Sequence, residues 1–232
     1  RDSIRMINDR NPVHAPDIRL LPEDMSRDEF MARFDPEELA ATKARLRDAG
    51  RPMLRVPLGL GEAEMLPLYV DFNDDTSTHF AVVADTVKGK TTFLRHLIMT
   101  LCDNNSPAEL QMLVVDSRRR LLGVMPEGYG YHVSTLEALN NYLGALLPQI
   151  ADRNPPDNVT GAALRRREWL RGRPEIFIIV DNAHEFGQSG QIDPLLPLKP
   201  LLTSGRDTGM HFVGTWRLSL IHISEPTRPE RI

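Results

Sequence analysis

Four consecutive residues, Gly89, Lys90, Thr91 and Thr92, combine a flexible turn residue, a cation and two hydroxyls. Such a glycine lets the backbone turn tightly, so that N–H groups converge on bound phosphates. The lysine can then reach the β- and γ-phosphates, and the first threonine can bind Mg²⁺. We therefore expect a site for ATP and Mg²⁺, with the second threonine near the α-phosphate at the start of a helix.

The residues before this group depart from the phosphate-loop pattern G-x-x-x-x-G-K-[ST]. Ala84 stands in place of the first glycine, and Val87 is β-branched where such loops prefer small residues. If position 84 requires a positive φ, its alanine costs about 1 kcal/mol. Lys88 adds a second cation that can help to hold phosphate. These changes predict a weakened rather than an abolished site.

A second strand in such a protein carries an acid that orients Mg²⁺ through water. The stretch IFIIVD ends in Asp181, about 90 residues after the lysine, although the acid could merely close a buried strand. Active motors place a glutamate next, whereas this chain has Asn182, which cannot accept a proton. Loss of a general base costs roughly 100- to 10,000-fold in rate. His184 and Glu185 follow, but their spacing does not show that they reach the attacking water. Binding is therefore predicted more firmly than hydrolysis, and no residue is assigned as catalytic.

Arginines at three further places could also bind a ligand or a partner. Asp116 ends another apolar strand, and residues 118 to 120 after it are all arginine, able to bind phosphate or a partner's acids but equally able to form a solvated turn. A second cluster at residues 164 to 172 favours a solvated helix face with Trp169 packed inward. Arg206 could act across a subunit boundary or simply stand as a helix C-terminal charge.

The elements that must position these residues alternate along the chain. Helices are predicted at 26–30, 35–50, from Lys90 to about Leu101 and at 134–153, with a helical connector at 193–209. Strands are predicted at 53–60, 64–72, 79–84, 110–116, 173–181 and 210–216, the third of them as a buried strand. Apolar strands that alternate with helices are typical of an α/β fold, in which helices cover both faces of a mostly parallel sheet.

Composition narrows the functional classes. The 232 residues carry a formal charge of −4, which gives no overall attraction to nucleic acid or an anionic membrane. No apolar run approaches the ~20 residues that span a bilayer. No signal peptide opens the chain, and the missing initiator Met suggests a fragment. Cys102 is the only cysteine, so an intrachain disulfide is excluded, and we expect a small buried residue on a helix.

Three regions are predicted. Residues 1–50 form a linker or strap with one clear helix, and residues 51–217 form an ATPase module that is truncated at its C-terminus. Residues 218–232 include SLIHISEPTRP, which resembles a peptide read from sequencing-adaptor DNA, with a natural proline-rich tail as the alternative.

Five segments together resemble a known family. They are VPLGLGEAEMLPLYVDF, the phosphate loop, LQMLVVDSRRRLLGVMPEGYGYHVST, RPEIFIIVDNAHEF and SGRDTGMHFVGTWR, and they occur in the order seen in FtsK/SpoIIIE-type P-loop ATPases. They resemble most closely the C-terminal ATPase module of EccC, from type VII (ESX) secretion. The pattern VVD-x-RR-x-LLG is the most specific link, and the resemblance covers about residues 10 to 217.

The resemblance implies a RecA-like fold and a module on the cytoplasmic face of the cell membrane, beside neighbouring ATPase modules of the same chain or of a hexamer. It also implies small helical secretion substrates, recognised through a C-terminal signal, and no direct membrane contact by this segment. Later modules of the family commonly have degenerate nucleotide sites, which Ala84 and Asn182 fit.

Two alternatives stay open beside this interpretation. One is a DNA-translocating motor, but its relatives carry an A-T-Q-R-like segment where this chain has GTWR, with Trp216 near the glutamine position. The net negative charge also disfavours DNA. The other is an active ATPase that uses a different base.

Overall fold

A computed structural model of the chain describes residues 22, 24–61, 66–74, 76–186 and 193–218. Most of the predicted strap at 1–25 and the tail from 219 onward lie outside this range. The boundaries of the three predicted regions stay predictions.

A five-stranded parallel sheet forms the centre of the structure. Its strands are β3 (Phe80–Val83), β4 (Leu110–Asp116), β5 (Gly130–Val133), β6 (Glu175–Asp181) and β7 (Met210–Trp216). Their order is β3-β7-β6-β4-β5, and every neighbouring pair is parallel. The predicted α/β fold with a mostly parallel sheet is thus confirmed.

Two of these strands differ from expectation. β3 alternates between half-buried and exposed residues instead of being buried, because it lies at a sheet edge with β7 as its neighbour. β5 was not predicted, because it is only four residues long and begins with a glycine. Gly130 has φ +138°, and a Cβ there would lie 1.9 Å from the Met112 carbonyl oxygen, so the approach of β5 to β4 requires glycine.

Helices cover both faces of the sheet, as predicted. On one face, α3 (Lys90–Asn104) packs with the antiparallel hairpin of β1 (Arg55–Leu60) and β2 (Pro67–Asp71) in a core that includes Leu97, Phe72 and Phe177. Cys102 is buried in this core, as expected. On the other face, α4 (Leu136–Ala151) contributes Leu139 and Leu143 to a second core. Among the described residues, no helix is both long and apolar enough to cross a membrane.

The remaining helices are short or lie at the surface. They are α1 (Arg27–Met31), α2 (Pro36–Asp48), α5 (Gly161–Arg166), α6 (Lys199–Leu202) and α7 (Gly205–Thr208). Ser26 and Glu29 form a capping box at the start of α1. Asp35 caps α2 through the backbone N–H of Glu37, and the Glu38 carboxylate lies 3.4 Å from the Arg55 guanidinium.

Candidate nucleotide-binding site

The phosphate-loop residues connect the end of β3 to the start of α3. They therefore lie at the side of the sheet formed by the C-terminal ends of its parallel strands. Gly89 has φ +81° and is the last residue before the helix. This left-handed conformation suits glycine, and it turns the chain so that the N-terminus of a 15-residue helix faces the site. A helix N-terminus presents free N–H groups and a partial positive charge, both of which favour phosphate.

The strain in this loop lies at a different residue from the one that the motif suggested. Ala84 is not among the residues with positive φ, and its N–H donates to the Trp216 carbonyl at 3.2 Å, so the alanine carries no left-handed penalty. Val87 does have a positive φ, +62°, and its side chain is 94% exposed. For a β-branched residue this conformation costs roughly 1–2 kcal/mol.

The Lys90 side chain is buried and extends back to the first residues of the loop. Its Nζ donates to the carbonyl oxygens of Ala84, at 2.8 Å, and Asp85, at 2.7 Å. An ammonium group has three donors, so these two hydrogen bonds hold the lysine at the loop without exhausting its donors.

A chain of hydrogen bonds joins Thr91 to the predicted acid. Thr91 Oγ1 donates to Asp181 Oδ2 at 2.8 Å, and Thr215 Oγ1 donates to Asp181 Oδ1, also at 2.8 Å. Thr215 in turn accepts from the Asn182 N–H at 2.8 Å. The structure therefore brings Thr91 and Asp181 together, and it adds Thr215, which sequence analysis missed. A hydroxyl residue in the otherwise apolar strand MHFVGTW was the available signal.

The same residues fit a magnesium ion only with help from other oxygens. A hydroxyl and a carboxylate are hard oxygen ligands, and Mg²⁺ is usually bound by one or two carboxylates together with substrate phosphates and water. Within the described residues, no group of three or more His, Cys, Asp or Glu residues could hold a metal. Thr91 and Asp181 therefore suit a metal that arrives with a nucleotide, not a metal held by protein alone.

A cavity of about 520 Å³ opens beside this cluster and is lined by Thr91 and Asn182 but not by the buried Asp181 and Thr215; its volume is within the size range of small-molecule sites. All the predicted phosphate-loop residues from Lys88 to Thr92 line it, together with Arg118, Arg120 and Arg217. The wall thus carries several cations beside the loop, as a polyphosphate requires.

Asn182, His184 and Glu185, which follow Asp181, form another part of the cavity wall. Asn182 lies in the left-handed region, with φ +53°. The Glu185 carboxylate accepts a hydrogen bond from Ser117 Oγ at 2.6 Å and pairs with Arg118. Burial alone would raise the pKa of Glu185, but the hydrogen bonds from Ser117 and Arg118 outweigh it and hold that pKa below its ordinary value. Burial lowers the pKa of His184, and its buried Nδ1 has no hydrogen-bond partner among the residues that the structure describes.

The structure shows which arginines of residues 118 to 120 face the cavity and which belong to the turn. Asp116 is 1% exposed and accepts from the N–H groups of Leu121, at 2.7 Å, and Arg118, at 3.1 Å, so it closes the turn. Arg118 and Arg120 line the cavity, whereas Arg119 Nε donates to Ser134 Oγ at 3.2 Å.

Two other arginine sites lie away from the nucleotide cavity. Arg206 belongs to α7, just before β7 begins, and is therefore at the opposite edge of the sheet from the phosphate loop. In the 164–172 segment, the expected solvated face is wrong for Arg167, which is buried and pairs with Glu175 at 3.0 Å. Trp169 is half-buried and donates its indole N–H to the carbonyls of Arg153 and Asp207.

Comparisons with known proteins identify relatives of this chain. The family model "Helicase HerA, central domain" matches residues 56–118. The chain is 27% identical to ESX-1 secretion system protein EccCb1 of Mycolicibacterium smegmatis, over 95% of this chain and 36% of that protein. It is 30% identical to ESX secretion system protein EccC of Thermomonospora curvata, over 86% of this chain and 14% of that protein. The chain thus spans about a third or less of these relatives.

A solved structure extends the likeness to three dimensions. ATPases 2 and 3 of Thermomonospora curvata EccC, solved in complex with a signal sequence peptide, superpose with a TM-score of 0.72 and 28% identity. The match covers 91% of this chain and 35% of that one. This chain is a homologue of the ATPase modules of EccC proteins and has their FtsK-like P-loop ATPase fold.

Proposed function

We propose that this chain is an ATP-binding module of a type VII secretion ATPase, with weak or no intrinsic hydrolysis, which contributes to recognition of secretion substrates. The observation that carries the proposal is the 2.8 Å hydrogen bond from Thr91, which lines the cavity beside Lys90, to the buried Asp181 behind it. A cation, a hydroxyl and a carboxylate from two distant segments meet where a nucleotide with its metal needs them.

Each residue of the loop has a role in this proposal. The backbone N–H groups from Gly89 to Thr92 hold the phosphates at the helix N-terminus. Lys90 exchanges its bonds to the loop carbonyls for the β- and γ-phosphates, and Lys88 adds a more exposed cation. Thr91 binds Mg²⁺ directly, and Asp181 orients the ion through water.

Weak hydrolysis follows from the groups that face the γ-phosphate end of the cavity. An amide at position 182 cannot take a proton from water, and Glu185 is engaged by Ser117 and Arg118. Because a general base contributes roughly 100- to 10,000-fold to rate, turnover should be slow.

The role in secretion rests on the relatives. They are named as ESX secretion system proteins, and the T. curvata module pair was solved with a signal sequence peptide. On this basis we propose that the chain lies at the cytoplasmic face of the membrane beside neighbouring ATPase modules, and that small helical substrates dock through a C-terminal signal. A labelled copy of that signal peptide, titrated with this chain, should give saturable anisotropy. If a folded sample that binds nucleotide gives no change in anisotropy, the substrate-recognition part of the proposal is wrong and only nucleotide binding remains.

Nucleotide binding is tested by titrating a fluorescent ATP analogue with Mg²⁺. Lys90→Ala removes charge-assisted hydrogen bonds of about 1.5–3 kcal/mol each, so the affinity should fall at least about 10-fold. Lys43→Ala, which removes the same charge from α2, is the matched control and should bind as the unaltered chain does. Equal affinities in all three proteins would show that the loop does not hold phosphate.

The alternative of a DNA-translocating motor is favoured by one observation, the match of residues 56–118 to the central domain of the helicase HerA. Duplex DNA should then stimulate ATP turnover in a Lys90-dependent way. We expect no stimulation, because the chain carries a net charge of −4 and lacks a glutamate after Asp181.

A further inference from the structure

A second cavity, of about 250 Å³, opens at the edge of the sheet opposite the phosphate loop. Glu175 begins β6 and Glu109 directly precedes β4, so the cavity lies where these strands start. Two carboxylates and six guanidinium groups line it. The arginines are Arg47, Arg51, Arg166, Arg167, Arg171 and Arg173.

The negative charge in this cavity is already committed to other groups. Glu175 accepts from Arg167 at 3.0 and 3.1 Å and faces His211 Nε2 at 3.1 Å. The other ring nitrogen of His211 faces the Thr78 carbonyl at 3.0 Å, so both nitrogens have oxygen partners. Glu109 accepts from Ser106 through its backbone N–H and its hydroxyl, each at 2.8 Å. Both carboxylates therefore already accept hydrogen bonds. Arg166 pairs with Glu168 and Arg173 with Asp152, outside the cavity, so the acids in contact are still fewer than the six arginines.

The positive charge, by contrast, is only partly compensated. Arg51 is half-buried and uses Nη2 to bond to Asn73, at 3.1 Å, while burial and the nearby Arg167 lower its pKa. Arg167 is buried, and its Nε has no hydrogen-bond partner in the part of the chain that the structure describes. Within the same part, the structure gives no side-chain hydrogen bond or ion pair to Arg47 or Arg171. Like charges gathered around a part-buried cavity are unfavourable unless an anion joins them.

We propose that this arginine-lined cavity is a second anion site, which binds a compact phosphate polyanion such as a pyrophosphate group, free or carried by a nucleotide. Guanidinium groups present paired N–H donors in a planar fork that matches phosphate oxygens. The cavity and the phosphate loop lie at opposite edges of the sheet, so each can be occupied while the other is empty. This proposal does not depend on the function proposed above.

The test is a calorimetric titration with inorganic pyrophosphate in the Lys90→Ala background, which removes the phosphate-loop site as a competitor. One saturable site should remain. Arg171→Gln, at the exposed rim, should weaken it about 3- to 10-fold, and Arg51→Gln, deeper in the cavity, should weaken it about 10-fold or more. Arg165→Gln is the matched control, because this exposed arginine carries the same charge nearby but does not line the cavity.

The three variants distinguish a specific anion site from general electrostatic attraction. Loss of affinity in the Arg171 and Arg51 variants, with no change in the Arg165 variant, supports the site, and competition by ADP then tells whether a nucleotide can supply the phosphates. Equal weakening by all three variants would reveal only general electrostatic attraction and overturn the proposal, as would the absence of any saturable site. Arg171→Gln guards against misfolding, because its exposed side chain has no described contact whose loss would unfold the chain.

Discussion

Thr215→Val tests the hydrogen-bond chain that holds the acid of the nucleotide site. Valine has the same shape as threonine but lacks the hydroxyl, so the change removes two hydrogen bonds without leaving a cavity. Thr215 is fully buried; its Oγ1 donates to Asp181 Oδ1 and accepts from the Asn182 N–H. Both of these partners lose their contact in the variant.

The size of the effect follows from those two orphaned groups. A buried polar group left without a partner costs about 1–3 kcal/mol, so the loss of two partners should lower the free energy of unfolding by about 2–6 kcal/mol. For a chain of this length, each kcal/mol lowers Tm by about 2–4 °C, which gives a drop of roughly 4–24 °C. Groups that support a metal ligand typically contribute 10- to 100-fold to metal affinity, so Mg²⁺-dependent nucleotide binding should weaken about 10-fold.

Thr100→Val is the matched control. Thr100 is 1% exposed on α3, but its hydroxyl has no hydrogen-bond partner within the described residues. The same substitution there should leave the free energy of unfolding within about 0.5 kcal/mol or raise it. Thermal unfolding and nucleotide titration of both variants decide the matter. Equal losses of stability in the two, or an unchanged Mg²⁺ dependence in Thr215→Val, would refute the role given to Thr215.

Three further predictions follow from the loop, the missing base and the buried acid. Val87→Gly relieves left-handed strain and should raise the free energy of urea unfolding by about 0.5–1 kcal/mol, since glycine's greater unfolded-state freedom offsets part of the gain; a loss of stability contradicts the assigned strain. Asn182→Glu should raise ATP turnover about 10-fold or more. It should also lower the free energy of unfolding by about 1 kcal/mol, because φ is +53° at this position. An unchanged rate in a folded variant counts against the missing-base explanation. For Glu175, burial opposes ionisation, but His211 and Arg167 lower its pKa from 4.5 to about 2. Its stabilisation is therefore complete above pH 4.5 and lost as pH falls toward 2, and Glu175→Gln should flatten the acid limb of the stability curve.

The fold, and the positions of the candidate site residues within it, could be predicted because their signals are local. A strand, a glycine-lysine-threonine turn and an apolar helix are contiguous in sequence, and Asp181 ends a stretch too apolar to be anything but a central strand. Parallel topology then brings Asp181 to the same sheet edge as Thr91, as the 2.8 Å hydrogen bond shows. The local patterns and the rule for parallel strands can both be applied without knowing in advance which residues are in contact.

Most of the features that sequence analysis missed depend on contacts between distant segments. Thr215 acquires its role from β7 lying beside β6, and β5 forms only because Gly130 allows close approach to Met112. Arg167 looked solvated because its neighbours are, yet its partner Glu175 begins a different element. Sequence analysis singled out both Ala84 and Val87 but could not tell which has the positive φ, because a motif gives residue identities and not dihedral angles.

The central claim is that the site holds ATP with Mg²⁺ but turns it over slowly. Binding of the labelled analogue and steady-state phosphate release, measured on one preparation of the unaltered chain and of Lys90→Ala, test it most directly. We predict saturable, Lys90-dependent binding together with phosphate release that exceeds that of the Lys90→Ala protein only slightly or not at all. Robust hydrolysis that disappears in Lys90→Ala would contradict the account and show that another group serves as the base.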